Sequence, residues 1–88
     1  MNHRTTEGFW KCFEQLPEAE RERARRSYHI LEADPRHPSL HLKKLGGKSP
    51  PVWSVRVGRG YRALGLEKGD AIFWFWIGTH AEYDRLTS

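Results

Sequence analysis

Apolar residues near the start of the chain recur with the period of an α-helix. Phe9, Phe13 and Leu16 stand at positions i, i+4 and i+7, so they share one face of a first helix. Thr5 or Thr6 can cap it, because a threonine hydroxyl accepts a hydrogen bond from a free backbone N–H of the first turn. The pattern predicts a short amphipathic helix that ends near Leu16.

A second helix is predicted from Pro17 to Ala33. Proline suits the first helical position, where its missing N–H is not needed, and Pro35 ends the helix. Ala24, Tyr28 and Leu31 are expected to face inward.

The polar face of this second helix carries the stretch ERERARR, residues 20–26. Glu22 and Arg26 stand four residues apart, a spacing at which opposite charges on a helix surface meet. The spacing predicts an ion pair between them.

After Pro35 the period changes from 3.6 to 2, which indicates β-strands. Leucines alternate with polar residues in LHLKKL, residues 40–45, and apolar residues alternate with polar ones in WSVRVG, residues 53–58. Gly58-Arg59-Gly60 suits a tight turn, and Tyr61 to Leu66 is predicted to return as the partner strand.

The stretch AIFWFWI, residues 71–77, is apolar at every position, which is typical of a strand covered on both faces. Simple alternation would place Trp74 and Trp76 on one face of it. Two helices followed by a meander of three to four antiparallel strands predict a single α+β domain over residues 1–88, with the helices on one face of the sheet.

Charge is distributed unevenly along the chain. The net charge is +4, but residues 35–66 contain seven Lys and Arg and no acidic residue. Such a segment attracts polyanions, so nucleic acid or an acidic protein segment is the expected partner, and a solvated basic surface without a partner is the alternative.

Several classes of protein are disfavoured by composition. The one cysteine, Cys12, allows no internal disulfide, and no Cys and His spacing typical of a metal site accompanies it, so we expect no metal and no cofactor. The longest apolar run is far shorter than the roughly 20 residues that span a membrane. We therefore expect a cytoplasmic protein without a membrane partner.

Two arginines are predicted to meet on the sheet. If Val55 and Val57 face the helices, Arg56 points to the opposite face, and Arg62 points there from the return strand. Cross-strand neighbours lie about 5 Å apart, so the two guanidinium groups repel unless an anion lies between them. Phosphate fits forked donors best, although neutralisation by a carboxylate is the structural alternative.

The C-terminal stretch WIGTHAEYDRLTS supplies groups that can move protons. His80 and Tyr83 stand three residues apart and share one side if a helical turn begins there. A helix cap for His80 and a hydrophobic clasp for Tyr83 are the alternatives.

The stretches FWKCFEQLP, HPSLHLKKLGG, WSVRVGRGYRALG and WFWIGTHAEYDRL together resemble the small toxins of bacterial type II toxin–antitoxin modules, the RelE/ParE superfamily. The resemblance covers the chain from about Phe9 to Leu86. It implies a twisted antiparallel sheet with two helices on one face and a short C-terminal helical tail. The family's first strand must come from the few residues before Phe9 or be absent.

The resemblance also implies roles for individual residues. Arg62 corresponds to the arginine that contacts the scissile phosphate, Arg56 to a basic position on the preceding strand, and Ser54 to a position where some members have lysine. His80 and Tyr83 correspond to catalytic positions of the tail. The other basic residues of the segment are expected to bind RNA: Lys43, Lys44, Lys48 and Arg59.

The implied function is that of a toxin acting as a metal-independent endoribonuclease, which cleaves mRNA, on the ribosome in the best-known members. The implied partners are a cognate antitoxin, mRNA and the ribosome. Two alternatives remain open: a toxin that binds DNA gyrase and needs no proton transfer, and a member that has lost catalysis and only binds its antitoxin.

Overall fold

Five strands form one sheet, two helices pack on one of its faces, and a third helix packs on the other. The computed structural model describes all residues from Met1 to Ser88. The elements in chain order are β1 (Asn2–Thr5), α1 (Glu7–Glu14), α2 (Glu18–Ala33), a short 3₁₀ helix (Pro38–Leu40), β2 (Lys43–Leu45), β3 (Val52–Val57), β4 (Tyr61–Lys68), β5 (Ala71–Thr79) and α3 (His80–Thr87). The predicted α+β class is confirmed.

The sheet has the strand order β1-β5-β4-β3-β2. Strands β2 to β5 form an antiparallel meander, and β1 pairs parallel to β5. The apolar strand β5 therefore lies inside the sheet, as its composition predicted. None of the three α-helices has both the length and the apolar composition that crossing a membrane requires.

The two N-terminal helices form largely as predicted. Thr6 caps α1, where its hydroxyl accepts a hydrogen bond of 3.1 Å from the backbone N–H of Phe9. Pro17 immediately precedes α2, and Ala24 and Leu31 are buried on the inward face of that helix. Tyr28 is only half-buried at the edge of the same face.

The prediction that Glu22 pairs with Arg26 on α2 is wrong. Glu22 accepts a hydrogen bond of 2.7 Å from Arg25, three residues away, instead of pairing with Arg26. The i, i+3 and i, i+4 spacings are both compatible with a helix surface, so sequence alone could not decide between them.

Strand β1 is the element that the hydrophobic pattern did not reveal. Its sequence, NHRT, has no apolar residue, and only His3 and Thr5 turn partly inward. Its stability comes from pairing with β5 and from His3, whose ring stacks on Trp74 with centroids 6.1 Å apart. The indole N–H of Trp74 donates a hydrogen bond of 3.1 Å to Nδ1 of His3.

The strand predicted in LHLKKL is shorter than its alternation suggested. Pro38 to Leu40 form a 3₁₀ turn capped by the imidazole of His37, and Leu40 is almost completely buried. His41 then takes a left-handed backbone conformation with φ of 45°, so the extended chain begins only at Lys43. The alternation of leucines along the sequence indicates neither the histidine cap nor the left-handed backbone turn.

The β3–β4 hairpin has the predicted register. Val55 pairs with Ala63, and Arg56 pairs with Arg62 across the two strands. Gly58 has φ of 60°, a conformation that glycine adopts without strain. A Cβ at this position would also lie 3.0 Å from Cδ of Arg23, so α2 packs closely on the turn.

A β-bulge changes the faces of β5. Leu64 pairs with Trp76 but the next residue, Gly65, pairs with Trp74, so Phe75 has no partner. The two tryptophans therefore lie on opposite faces, and the expectation that they share one face is wrong because an inserted residue reverses the alternation. A side chain at Gly65 would collide with the ring of Trp74.

The main core lies between the sheet and helices α1 and α2. Val55, Val57, Ala63, Trp74 and Ile77 supply the sheet side. The helices and the 3₁₀ turn supply Phe9, Phe13, Leu16, Ala24, Leu31 and Leu40. The opposite face is covered by α3, and that second layer holds the candidate site.

Stability should depend on pH through His3. Burial, and then the charge of the chain's N-terminus, lower the pKa of His3 from its ordinary value of 6.5, against a weaker opposing effect of Glu32. The folded state thus favours the neutral ring that accepts from Trp74, and it loses stability as pH falls below the unfolded value. Urea unfolding at pH about 7.5 and about 5.5 should show this loss for the parent protein.

In His3→Gln the amide oxygen can accept the same hydrogen bond without titrating. The loss of unfolding free energy between the two pH values should therefore be smaller than in the parent protein. His29→Gln, at an exposed position of α2, is the matched control and should keep it. An equal loss in His3→Gln and the parent would show that the His3–Trp74 contact does not set the pH dependence.

Candidate functional site

Two arginines meet on the face of the sheet opposite α1 and α2. Arg56 and Arg62 are cross-strand partners, and their neighbours Val55, Val57 and Ala63 belong to the core on the other face. The alternation of the hairpin therefore predicted their side correctly. The face is not open at Arg62, however, because the C-terminal helix covers it.

Arg62 is buried although it carries a charge. Only 7% of it is exposed, and none of the five ion pairs of the chain includes it. Its Nε and one terminal nitrogen donate hydrogen bonds of 3.1 and 2.9 Å to the hydroxyl oxygen of Ser54, which is fully buried. Buried arginines usually have an acidic partner, so a guanidinium held only by neutral groups retains its attraction for an anion.

Tyr83 forms the other wall of the Arg62 site. The guanidinium carbon of Arg62 lies 4.8 Å from the centre of the Tyr83 ring, a cation–π geometry. Tyr83 is itself only 6% exposed. The Ser54 hydroxyl on one side and the Tyr83 ring on the other hold the Arg62 side chain in one orientation.

Helix α3 is fixed at its start by a capping box. The Thr79 hydroxyl accepts from the N–H of Glu82, and the Glu82 carboxylate accepts from the N–H of Thr79 at 3.0 Å. The Thr79 hydroxyl also donates to this carboxylate at 3.0 Å, and the two hydrogen bonds that Glu82 accepts, first from the backbone and then from the hydroxyl, lower its pKa. The backbone N–H of His80 also donates to the carbonyl of Gly60 at 2.8 Å, which ties the helix to the β3–β4 turn.

His80 has an acidic neighbour that sequence reasoning missed. Its Nδ1 lies 3.2 Å from a carboxylate oxygen of Asp84, one helical turn further on. Its ring also contacts Tyr83 edge-on, with centroids 5.8 Å apart, as expected if the tail is helical. The i, i+4 spacing of His80 and Asp84 is the sequence signal that could have revealed the pair.

The arginines and His80 surround a small polar cleft. Its volume is about 270 Å³, and its lining residues are His41, Arg56, Arg59, Tyr61, Arg62 and His80. Arg59 reaches it from the β3–β4 turn. His41 was not predicted as a site residue, because its position depends on the left-handed backbone turn before β2.

The three lysines proposed to bind RNA take different positions. Lys43 pairs with Ser54 across the sheet and so lies on the same face as Arg62. Lys44 lies on the other face, over the ring of Trp53 and 3.8 Å from Glu67. Lys48 is exposed in the loop after β2, outside the residues that line the cleft.

The chemistry available in the cleft is that of anion binding and proton transfer. Three guanidinium groups can contact a phosphate, and two imidazoles can accept or donate protons. No three His, Cys, Asp or Glu side chains anywhere in the chain lie close enough together to hold a metal ion.

The fold agrees with the family of the chain. Residues 18–85 match the sequence profile of the ParE-like toxin domain. The chain therefore belongs to the ParE-like toxins, within the RelE/ParE superfamily of toxins of toxin–antitoxin systems. A search of curated proteins finds no significant sequence match.

Three solved structures with the same fold are distant in sequence. A chain of the RelB–RelE antitoxin–toxin complex from Methanococcus jannaschii superposes with a TM-score of 0.74 at 19% identity, covering 97% of this chain and 99% of that one. The YoeB/ParE toxin from Agrobacterium tumefaciens gives 0.67 at 19% identity, covering 91% and 99%. The isolated E. coli RelE toxin gives 0.64 at 16% identity, covering 97% and 94%.

Removing the Ser54 hydroxyl should destabilise the protein. Ser54→Ala leaves two buried N–H groups of Arg62 without their acceptor, and a hydrogen bond to a charged group contributes about 1.5 to 3 kcal/mol. We expect the free energy of unfolding in urea to fall by an amount in this range. Ser49→Ala, at an exposed position in the loop after β2 and outside both arginine-lined clefts, is the control.

Stabilisation by added phosphate should also test the contact between Ser54 and Arg62. Because phosphate can satisfy the guanidinium, it should stabilise Ser54→Ala more than the parent protein. Ser54→Ala as stable as Ser49→Ala would show that Ser54 does not hold Arg62.

Proposed function

We propose that this toxin is a metal-independent endoribonuclease that cleaves mRNA, on the ribosome, and so inhibits translation. The observation that carries the proposal is the buried Arg62 without an acidic partner, at the wall of a cleft that also holds two further arginines and two imidazoles. A phosphodiester supplies the missing negative charge, and its cleavage needs the proton transfers that imidazoles perform.

The proposed reaction uses the RNA's own 2′-hydroxyl as nucleophile. A base takes the 2′-hydroxyl proton, the 2′-oxygen forms a bond to phosphorus, and the bond from phosphorus to the 5′-oxygen breaks. An acid gives its proton to the leaving 5′-oxygen, so the products are a 2′,3′-cyclic phosphate and a 5′-hydroxyl. Arg62 and Arg56 stabilise the additional negative charge on the pentacoordinate phosphorus.

We assign the base to His80. With Asp84 accepting the proton of Nδ1, the other ring nitrogen, Nε2, carries a lone pair and is free to take a proton. The negative carboxylate then stabilises the imidazolium that forms. His41 is the other imidazole in the cleft and is assigned the acid.

Tyr83 acts in this proposal by positioning Arg62 rather than by transferring a proton. Its buried ring lies against the guanidinium, while the histidines line the cleft. The sequence suggested Tyr83 as the second proton-transfer group, and its packing against Arg62 supports the positioning role instead.

The proposed partners are a cognate antitoxin, mRNA and the ribosome. The M. jannaschii relative was solved in an antitoxin–toxin complex, which supports an antitoxin for this chain. The basic cleft residues, together with Lys43 and Lys48, supply positive charge for RNA, and an antitoxin that blocks the site has to compete for the same charge.

Binding to DNA gyrase is the second candidate, because the matching profile is that of ParE-like toxins. Such a toxin would act without proton transfer. Dependence of toxicity on the imidazole of His80 therefore distinguishes the two functions.

Replacing His80 should abolish most of the cleavage. Loss of one general acid or base lowers a rate by about a hundred- to ten-thousand-fold, and we expect His80→Gln to fall in this range with RNA binding nearly unchanged. The measurement is 5′-end mapping of mRNA cleaved on programmed ribosomes. His29→Gln, which changes an exposed imidazole outside the cleft, should cleave like the parent.

Two outcomes would contradict the proposal. Cleavage by His80→Gln at the parental rate would remove His80 from the mechanism. Growth arrest by a parent protein that cleaves no RNA would favour gyrase binding.

A further inference from the structure

A second arginine-lined cleft lies at the edge of the sheet, between α2 and β3. Its volume is about 380 Å³, and its lining residues are Arg23, Arg26, Ser27, Ile30, Ser39, Arg56 and Gly58. Strand β2 pairs only with Val52 to Ser54, so the second half of β3 has a neighbouring strand, β4, on one side only. This leaves room for a ligand along the edge.

The charge of Arg26 in this cleft is not compensated by a carboxylate. Glu22, its expected partner, binds Arg25 instead, and no carboxylate lies within ion-pair distance of Arg26. Arg23 does have a carboxylate partner, Glu20. The net charge in the cleft is therefore positive, which favours an anion.

Arg56 connects the two clefts. It lines the cleft at the edge of the sheet and also the one that contains Arg62 and His80. Its Nε donates to the carbonyl of Gly58 at 3.1 Å, which fixes the direction of the side chain and leaves its terminal nitrogens as donors. An extended anion bound at one cleft can continue past Arg56 into the other.

We propose that the cleft between α2 and β3 binds the backbone of the RNA substrate at a phosphate flanking the scissile one. This inference rests on the proposed ribonuclease function. The lining offers guanidinium and hydroxyl donors but no aromatic ring, so it suits a phosphate and not a stacked base. The contact therefore contributes to RNA affinity and sets the direction of the bound RNA strand, but it does not select a base sequence.

The salt dependence of binding tests this contact directly. Each phosphate contact to a single strand contributes about 0.7 to the slope of log K against log salt concentration. The probe is a single-stranded 2′-O-methyl RNA oligonucleotide, which the toxin cannot cleave because the nucleophile is blocked. Fluorescence anisotropy gives K at several salt concentrations.

Arg26→Gln should lower the slope by about 0.7, and Arg26→Lys should keep it because the charge remains. Arg25→Gln is the matched control on the same helix. Arg25 is paired with Glu22 and lies over the ring of Phe13, away from the cleft, so its loss should leave the slope unchanged. Circular dichroism confirms that each variant is folded.

Arg62→Gln separates this proposal from the proposed function. If Arg62→Gln lowers the slope and Arg26→Gln does not, the second cleft is not a phosphate site while RNA binding at the first stands. If the parent protein does not bind the RNA probe, both proposals are wrong. A slope reduced equally by Arg25→Gln and Arg26→Gln would indicate a general charge effect and would also overturn the subsite.

Discussion

The arrangement of the candidate site depends on how one buried cation is held. Arg62 reaches from β4 to the hydroxyl of Ser54 on β3 and lies against the ring of Tyr83 on α3. Burying a guanidinium without an acid is costly, because the charge loses water and gains no opposite charge. The contact joins two strands and the last helix, so the position of α3, and with it His80, is coupled to the arginine.

This cost has a functional interpretation. A carboxylate beside Arg62 would stabilise the fold but would also repel a phosphate and occupy its donors. A hydroxyl and an aromatic ring hold the side chain without neutralising it. The site is therefore prepared for an anion before the anion arrives, which is how preorganised charge contributes to catalysis.

Much of the fold could be predicted from periodicity and turn residues. The stripe of Phe9 and Phe13, the glycine turn at Gly58 and the pairing of Arg56 with Arg62 depend on local rules and were predicted correctly. The hydrophobic pattern did not indicate strand β1, because its pairing with β5 is long-range and its own sequence is polar; only the family resemblance allowed for a strand before Phe9.

The details that were missed in the site also depend on contacts beyond local periodicity. His41 lines the cleft because of a left-handed backbone turn, which the leucines on either side of it do not indicate. The bulge at Phe75 likewise places Trp74 and Trp76 on opposite faces of the sheet. The burial of Arg62 required knowledge of how α3 packs. His80 with Asp84 is different, since their spacing alone was sufficient to suggest the contact.

The two clefts together form one continuous surface of positive charge. Arg56 lies between the cleft lined by Arg62 and His80 and the cleft at α2, so positive charge continues from one face of the sheet around its edge. Under the proposed function, antitoxin and RNA compete for one extended surface of positive charge.

The chemistry of the cleaved ends tests the central claim most directly. An mRNA is cleaved by the parent protein on programmed ribosomes, its cut position is mapped, and the same mRNA is prepared with a single 2′-deoxynucleotide on the 5′ side of that position. The account predicts a 2′,3′-cyclic phosphate and a 5′-hydroxyl from the unmodified RNA, and no cleavage at the deoxy position, because the nucleophile is missing. A 5′-phosphate product, or cleavage that persists at the deoxy position, would contradict it.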